Sequence, residues 1–282
     1  MTERSVIEPG SAIARALSSR GPLSEDIGSR DGVCEKHGTY TSEGKRYLIV
    51  DPPREIWSSC PTCRGEREAA EASVAAAREA ELLRARTESM MQQTCIPARF
   101  VGRTLDTFKA DSDGQARALR VCRRFADEFD ANLRTGASLI LSGMPGTGKS
   151  HLAAGIIQAI LPAHVGVYVT MMDLIRMLRD TWRKDSTKSE ADVLAQLSSV
   201  PLLVVDEIGL QYGTDGERTL FTDVMDRRYR DQRPVILITN QGPEDFRVTV
   251  GDRVYDRLTE VARWIPFEWQ SYRTSARKEA QR

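Results

Sequence analysis

The chain has 282 residues with 40 basic and 40 acidic side chains, so its formal net charge is zero. Its 28% charged and 40% hydrophobic residues are typical of globular proteins and exclude a collagen, a mucin-like stalk or a wholly disordered chain. Zero net charge argues against a protein that coats nucleic acid by bulk charge. Neither a run of about 18 apolar residues nor an apolar leader is present, so we expect a cytoplasmic protein without a membrane span.

Composition divides the first 95 residues into three segments. Residues 1–30, rich in Ser, Gly and Arg, predict an N-terminal extension that is partly disordered. Residues 31–65 hold a cysteine cluster and one short predicted strand, Lys45–Val50. Residues 66–95 have no Gly or Pro and are rich in Ala, Glu and Arg, which predicts a helical linker. That helix is either a spacer or a partner-binding element.

The cysteine cluster has the spacing of a metal site. Cys34 and His37 form one pair with a two-residue gap, and Cys60 and Cys63 form the other. Three thiolates and one imidazole suit tetrahedral Zn²⁺ and leave no open coordination position. Residues 31–65 are therefore predicted to form a small zinc-binding domain in which the metal is structural.

From residue 96 to residue 282 the pattern is that of an α/β domain. Continuous apolar strands alternate with helical stretches, which predicts a parallel sheet covered by helices on both faces. The predicted strands are Ser138–Gly143, Val165–Thr170, Pro201–Gly209 and Pro234–Asn240.

The first of these strands runs into a phosphate-binding loop, because residues 143–150 read GMPGTGKS and match G-x-x-x-x-G-K-[ST] in full. Glycines let backbone amides turn toward phosphate oxygens, Lys149 reaches the β- and γ-phosphates, and the Ser150 hydroxyl suits Mg²⁺. The residues of this stretch predicted to bind nucleotide are Gly143, Pro145, Gly146, Thr147, Gly148, Lys149, Ser150 and His151.

Two later strands supply polar residues for hydrolysis. The apolar run Leu202–Val205 ends in Asp206 and Glu207, which fits a carboxylate that holds Mg²⁺ followed by a general base. Asn240 at the end of the next strand is predicted to orient the attacking water, although an Asn that simply starts a turn is the alternative.

This arrangement resembles the AAA+ ATPases. Arg253 and Arg257 lie four residues apart on one face of a predicted helix. Arg257 resembles the arginine finger that this family supplies across a subunit interface, with Arg253 as the second candidate. The alternative is an exposed helix with internal salt bridges. Arg273 resembles a sensor for the γ-phosphate.

The chain is also similar to helicase loaders of the DnaC type over about residues 95–275. The resemblance rests on the phosphate-binding loop and on the blocks Ile96–Phe100, Val205–Gly209, Met225–Arg228, Gly251–Arg257 and Trp269–Arg273. It implies an N-terminal domain that grips a hexameric DnaB-type replicative helicase, and an ATPase domain that binds ATP, Mg²⁺ and single-stranded DNA. It further implies self-association on the helicase as a hexamer, and ATP hydrolysis that promotes release of the loader.

Two other functions fit the same motifs. One is an IstB-type transposition helper ATPase, and the other is a non-catalytic adaptor switched by ATP. For DNA contact we expect one basic stretch with an aromatic residue, because charge and base stacking together hold single strands. Its residues are Arg176, Arg179, Trp182, Arg183 and Lys184, and a solvated helix face is the alternative interpretation.

Overall fold

The computed structural model describes residues 23–48, 52–209 and 215–272. By compactness the chain divides into a first unit, Met1–Glu81, and a second unit, Leu82–Arg282. Most of the predicted extension, residues 1–22, and the predicted sensor Arg273 lie outside the described residues.

The first unit contains an antiparallel sheet of three strands in the order β1-β2-β3. The strands are β1 (Ser24–Cys34), β2 (Gly38–Tyr47) and β3 (Arg54–Trp57). Strand β1 begins inside the predicted extension. Of the strand predicted at Lys45–Val50, residues 45–47 form the end of β2, Leu48 lies beyond it, and residues 49 and 50 are outside the described residues. Both strands are mostly polar and exposed, so the alternating apolar pattern that identifies a half-buried strand is weak here.

A long helix, α1 (Pro61–Gln93), follows β3 and has no buried residue along its 33 positions. It begins five residues before the predicted linker, within the second cysteine pair. Proline at the first position of a helix is favourable because its missing N–H has no partner there anyway. The start of α1 therefore places Cys60 and Cys63 around one helix N-terminus.

The second unit is built on a five-stranded sheet in the order β5-β6-β7-β4-β8, in which all neighbouring pairs are parallel. The strands are β4 (Ser138–Gly143), β5 (Gly166–Thr170), β6 (Leu202–Ile208), β7 (Val235–Thr239) and β8 (Ala262–Phe267). The four predicted strands are confirmed. The fifth, β8, was not predicted because it contains Arg263 and Pro266, which an edge strand tolerates and a central strand does not.

Helices cover both faces of this sheet, as the α/β pattern predicted. They are α2 (Asp113–Asp127), α3 (Phe129–Thr135), α4 (Lys149–Ile160), α5 (Met171–Asp180), α6 (Glu190–Ser199), α7 (Asp215–Arg230), α8 (Pro243–Val250) and α9 (Asp252–Val261). Helices α2, α3 and α4 pack on one face, and α5 to α9 pack on the other. Within the described ranges, no helix combines the length and apolar composition needed to cross a membrane.

One arginine lies in the core of the second unit. Arg228 on α7 is 1% exposed, and burial lowers its pKa to about 9. Its guanidinium donates to the carbonyl oxygens of Leu197, Ser198, Val200, Pro201 and Pro234. Because these carbonyls end α6 and precede β6 and β7, Arg228 ties three elements together at the amino end of the sheet.

Candidate functional site

The phosphate-binding loop connects the end of β4 to the start of α4. Gly148, immediately before α4, has a φ of +97°, a conformation that side chains rarely adopt. A Cβ at Gly148 would lie 2.7 Å from the ring of Phe108. The loop therefore needs glycine at this position both for its backbone conformation and for the close approach of Phe108.

Lys149 and Asn240 lie together at the carboxyl end of the sheet. The buried Lys149 ammonium donates to Gly143 O at 2.6 Å, Met144 O at 2.9 Å and Asn240 Oδ1 at 3.0 Å. Strand β7, which ends just before Asn240, lies between β4 and β6. Since phosphate oxygens are stronger acceptors than carbonyl oxygens, this ammonium is placed to exchange partners when a nucleotide binds.

Asp206 is the buried carboxylate of the site. Ser150 Oγ donates to Asp206 Oδ2 at 2.7 Å, and the Glu207 amide donates to Asp206 Oδ1 at 2.7 Å. The hydroxyl of Tyr168 also donates to Asp206 Oδ2. The two oxygen-bearing side chains that the sequence analysis assigned to Mg²⁺ are thus in direct contact, and hard oxygen donors are the ligands that Mg²⁺ prefers.

Glu207 has an unusual backbone. Its φ is +63°, and the pairing between β6 and β7 changes register between Val205 and Ile208. Such conformations cost about 1–3 kcal/mol and are concentrated at functional sites. The irregularity places the exposed Glu207 side chain on the same cavity as the phosphate-binding loop.

A cavity of about 790 Å³ lies over this loop, which is within the usual size range of small-molecule sites. Besides the predicted residues Lys149, Ser150, Asp206, Glu207 and Asn240, it is lined by a second set. That set comprises Arg99, Phe100, Arg103, Thr107, Phe108, Lys109, Gln115 and Tyr272. Sequence reasoning assigned none of these residues to the site: Arg99, Phe100 and Tyr272 fall within blocks that carry the resemblance, but no spacing motif gave any member of the set a role.

His151 joins the loop helix to the second set of lining residues. Its Nε2 lies 2.9 Å from Thr104 O and 3.2 Å from Thr107 Oγ1, and its ring meets Phe108 edge-on. Burial lowers the pKa of His151. His151, which was predicted to bind nucleotide, thus holds neighbouring protein segments in place.

The chain after β8 lies against the phosphate-binding loop. Trp269 Nε1 donates to Thr147 O at 3.0 Å, and the Tyr272 amide donates to Gly146 O at 2.9 Å. Arg273, the predicted sensor, follows Tyr272 directly in the sequence.

Arg253 and Arg257 lie away from this cavity, and both form ion pairs with Asp226 on α7. The guanidinium of Arg257 also lies 5.2 Å from the ring centre of Tyr229. Both ion pairs join α9 to α7, whereas the alternative interpretation expected salt bridges within the helix itself. A role for either arginine across a subunit interface stays a prediction.

The basic stretch predicted to contact DNA also carries ion pairs. Its pairs are Arg176 with Asp173, Arg179 with Glu217 and Arg183 with Asp185. The Trp182 indole donates to Glu190 while 59% of the residue is exposed. The exposed aromatic surface is present, but part of the positive charge is offset by neighbouring acids.

The four predicted zinc ligands of the first unit converge on one point. Their ligand atoms all lie within 4.8 Å of one another. Cys34 Sγ is 3.5 Å from Cys63 Sγ, and His37 Nδ1 is 3.3 Å from Cys63 Sγ and 3.7 Å from Cys60 Sγ. Tetrahedral Zn²⁺ places neighbouring sulfur and nitrogen donors about 3.5–3.8 Å apart, so the cluster fits this metal.

The surroundings of the cluster favour a cation. Backbone amides of Lys36 and His37 lower the pKa of Cys34, and the Cys63 amide lowers that of Cys60. The hydrogen bond with Cys34 raises the pKa of Cys63 to about 11. A bound cation would favour ionisation of all three thiols, because it offsets the repulsion among neighbouring thiolates.

The histidine of the cluster is oriented by a carboxylate. His37 turns Nδ1 toward the sulfurs, and its Nε2 lies 3.1 Å from Glu66 Oε1. A metal-bound histidine commonly donates its other ring N–H to a carboxylate, which fixes the tautomer. Glu66 was not singled out in the sequence because it lies on α1, 29 residues from His37.

The strand order, the loop between β4 and α4 and the Ser150–Asp206 contact define an ATP-binding domain of the AAA+ class. Residues 85–280 match the family model described as IstB-like ATP binding protein. The chain belongs to this family. Its relatives include DnaC proteins.

Two of these relatives are named replicative helicase loader DnaC. The Escherichia coli (strain K12) protein is 38% identical over 173 residues, covering 61% of this chain and 69% of the relative. The Buchnera aphidicola (subsp. Acyrthosiphon pisum) protein is 35% identical over 188 residues, covering 66% and 75%. A crystal structure of a DnaC helicase loader aligns with a TM-score of 0.55 and 26% identity, covering 60% of this chain and 99% of that one.

Proposed function

We propose that this protein is an ATP-hydrolysing loader that places a hexameric DnaB-type replicative helicase on single-stranded DNA. The observation that carries the proposal is a complete nucleotide site, with Lys149 on Asn240 and Ser150 on Asp206, in a chain 38% identical to a replicative helicase loader. We place this activity in the cytoplasm.

The residues of the site divide the work of hydrolysis. The loop amides and Lys149 bind the phosphates, while Ser150 and Asp206 hold Mg²⁺, which when bound neutralises phosphate charge. Glu207, on the cavity wall, takes a proton from the attacking water, and Asn240 orients that water. Arg273 senses the γ-phosphate from the segment that follows Tyr272.

Hydrolysis is proposed to need a neighbouring subunit. Arg257, with Arg253 as second candidate, stabilises transition-state charge in the adjacent copy of the chain. Support comes from the position of both arginines away from their own cavity. Asp226 holds them until the neighbouring nucleotide offers a competing anion, and the assembly is a hexamer on the helicase.

The first unit is proposed to bind the helicase. Zn²⁺ held by the four ligands stabilises its three-stranded sheet, because small domains without a large core often depend on a structural metal. Single-stranded DNA contacts the stretch Arg176 to Lys184, where Trp182 is exposed for base stacking.

The decisive experiment measures deposition of the cognate helicase on single-stranded DNA with and without the protein and ATP. We expect deposition to require both. Equal deposition in all samples contradicts the loading function. Charge reversal at Arg176 and Arg183 should weaken binding to DNA, and unchanged affinity would remove that surface from the proposal.

Glu207→Gln separates a catalytic loader from an adaptor. We expect it to bind ATP, to hydrolyse ATP at least about 100-fold more slowly, and to trap the complex with the helicase. If turnover and release both equal those of the unchanged protein, the chain is a non-catalytic ATP-switched adaptor.

The arginine finger is tested by mixing two inactive variants, Arg257→Ala and Lys149→Ala. A mixed assembly contains interfaces with an intact nucleotide site on one side and an intact arginine on the other. Partial recovery of hydrolysis is expected. If hydrolysis does not recover at any ratio, Arg253→Ala replaces Arg257→Ala in the mixture.

An IstB-type transposition helper is the second candidate, because the family model that matches residues 85–280 carries that description. Affinity capture with the cognate helicase and with a transposase separates the two functions. Stable capture by the helicase supports the loader, and capture by the transposase alone supports the helper.

A further inference from the structure

Tyr168 is a buried tyrosine that no sequence motif identifies and that the nucleotide chemistry described above does not use. It lies on β5 and is 3% exposed. A phenylalanine would fill the same volume in the core, so packing alone does not explain the hydroxyl. That hydroxyl donates to the carboxylate of Asp206 on the adjacent strand β6.

The contact is made on the oxygen of Asp206 that also accepts from Ser150. Tyr168 and Ser150 both donate to Asp206 Oδ2, while the Glu207 amide donates to Oδ1. An ionised carboxylate accepts hydrogen bonds at about four positions. Tyr168 and Ser150 fill Oδ2 and the Glu207 amide takes one position on Oδ1, which leaves room on Oδ1 for roughly one more donor, such as a metal-bound water.

The tyrosine is itself held from its other side. Its amide donates to Thr94 O at 2.7 Å, and its ring lies 6.2 Å from the ring of Phe100. Thr94 is fully buried, so this support is not exposed to solvent. Because the backbone and the ring of Tyr168 are both held, its hydroxyl restricts rotation of the Asp206 carboxylate that it contacts.

The hydroxyl serves as a donor and not as an acid. Burial, followed by the neighbouring Asp206 charge, strongly raises the pKa of Tyr168, so it stays protonated at neutral pH.

We propose that Tyr168 is a positioning residue of the nucleotide site. Its hydroxyl holds the Asp206 carboxylate in the orientation that faces Ser150 and thereby sets the affinity of the site for the magnesium–nucleotide complex. This inference rests on the proposed ATP-binding function and deepens it.

The test is a titration of ATP binding to the full chain at increasing Mg²⁺ and in the presence of EDTA. Tyr168→Phe is compared with Ser138→Ala, which removes a buried hydroxyl at the opposite end of the same sheet. We expect Tyr168→Phe to raise the half-saturating Mg²⁺ concentration about tenfold, as other outer-shell substitutions do, and to leave binding in EDTA unchanged. Ser138→Ala should leave both unchanged.

A double-mutant cycle with Asp206→Asn makes the assignment specific. If the hydroxyl acts through that carboxylate, Tyr168→Phe should change the Mg²⁺ requirement little in the Asp206→Asn background. If the Mg²⁺ requirement of the single variant Tyr168→Phe is unaltered, the inference about Tyr168 is wrong and the proposed magnesium site is not affected. If the unchanged protein binds ATP without any Mg²⁺ requirement, both the inference and the proposed magnesium site are wrong.

Discussion

The two units of the chain differ in how much they bury. Among the described residues of the first unit, only Ser42, Gly44 and Cys60 are buried, and the ligand atoms of its cysteine and histidine cluster all lie within 4.8 Å of one another. The second unit buries apolar side chains on both faces of a five-stranded sheet. Apolar burial supplies the main driving force for folding, so the second unit has a core that the first lacks.

This difference teaches where each kind of sequence signal comes from. In a unit that a metal stabilises, the sequence pattern that predicts the structure is confined to a few ligand residues, and the strands can stay polar. In a unit with a large core, apolar patterns that predict the structure occur in every strand and helix. Perturbations should therefore affect the two units independently, and the following variants test that independence.

Removal of zinc should have the largest effect. Zinc binding contributes about 10–16 kcal/mol in small zinc-dependent folds, so a chelator should abolish protection of β1 to β3 from hydrogen exchange. ATP binding by the second unit should persist. Cys60→Ser should reproduce the loss, whereas Cys95→Ser, at an exposed cysteine outside the cluster, should not. Retained protection in β1 to β3 without metal would show that the sheet is stable by itself.

Gly148→Ala should produce the reverse pattern. The substitution places a side chain at positive φ and against the Phe108 ring, so we expect ATP affinity to fall about 100-fold, the order seen for loss of one key anion-binding donor. Zinc content should stay the same. Gly216→Ala, where an added Cβ meets nothing within 4 Å, is the matched control. Equal ATP affinity for both variants would contradict the geometry of the loop.

Arg228→Met should destabilise the second unit alone. It leaves several buried carbonyls without a donor, which we expect to lower the free energy of unfolding by about 3 kcal/mol. The adjacent Arg227→Met removes only a surface ion pair with Asp223 and should cost less than about 1 kcal/mol. Chemical denaturation of both variants measures the loss of unfolding free energy in each, and similar losses would mean that the buried guanidinium is dispensable.

Glu66→Gln should have the smallest effect. It weakens the acceptor for His37 Nε2, and loss of such an outer partner lowers metal affinity about tenfold. Competition with a chromophoric chelator measures that affinity, and Glu68→Gln on the same helix is the control. A zinc affinity equal to that of the control would show that Glu66 does not orient the ligand.

Much of the second unit could be predicted because its signals are local. Four of its strands, the phosphate-binding loop and the Asp206–Glu207 pair follow from short apolar runs and fixed spacings. Strand β8 was missed because an edge position permits Arg263 and Pro266. In the first unit, the cluster of cysteines and one histidine was predicted but β1 was not, since the strands of that sheet are mostly polar and exposed and carry no apolar pattern.

The sequence by itself predicted which groups carry the proposed chemistry: the loop glycines, Lys149, the paired carboxylates and the four proposed metal ligands. Within each motif these groups follow one another at fixed short distances along the chain, so they leave a readable pattern. Only the tertiary structure decided which residues orient them. Tyr168 reaches Asp206 across 38 residues and Glu66 reaches His37 across 29. Such contacts depend on how strands and helices pack, and packing leaves no fixed spacing in the sequence.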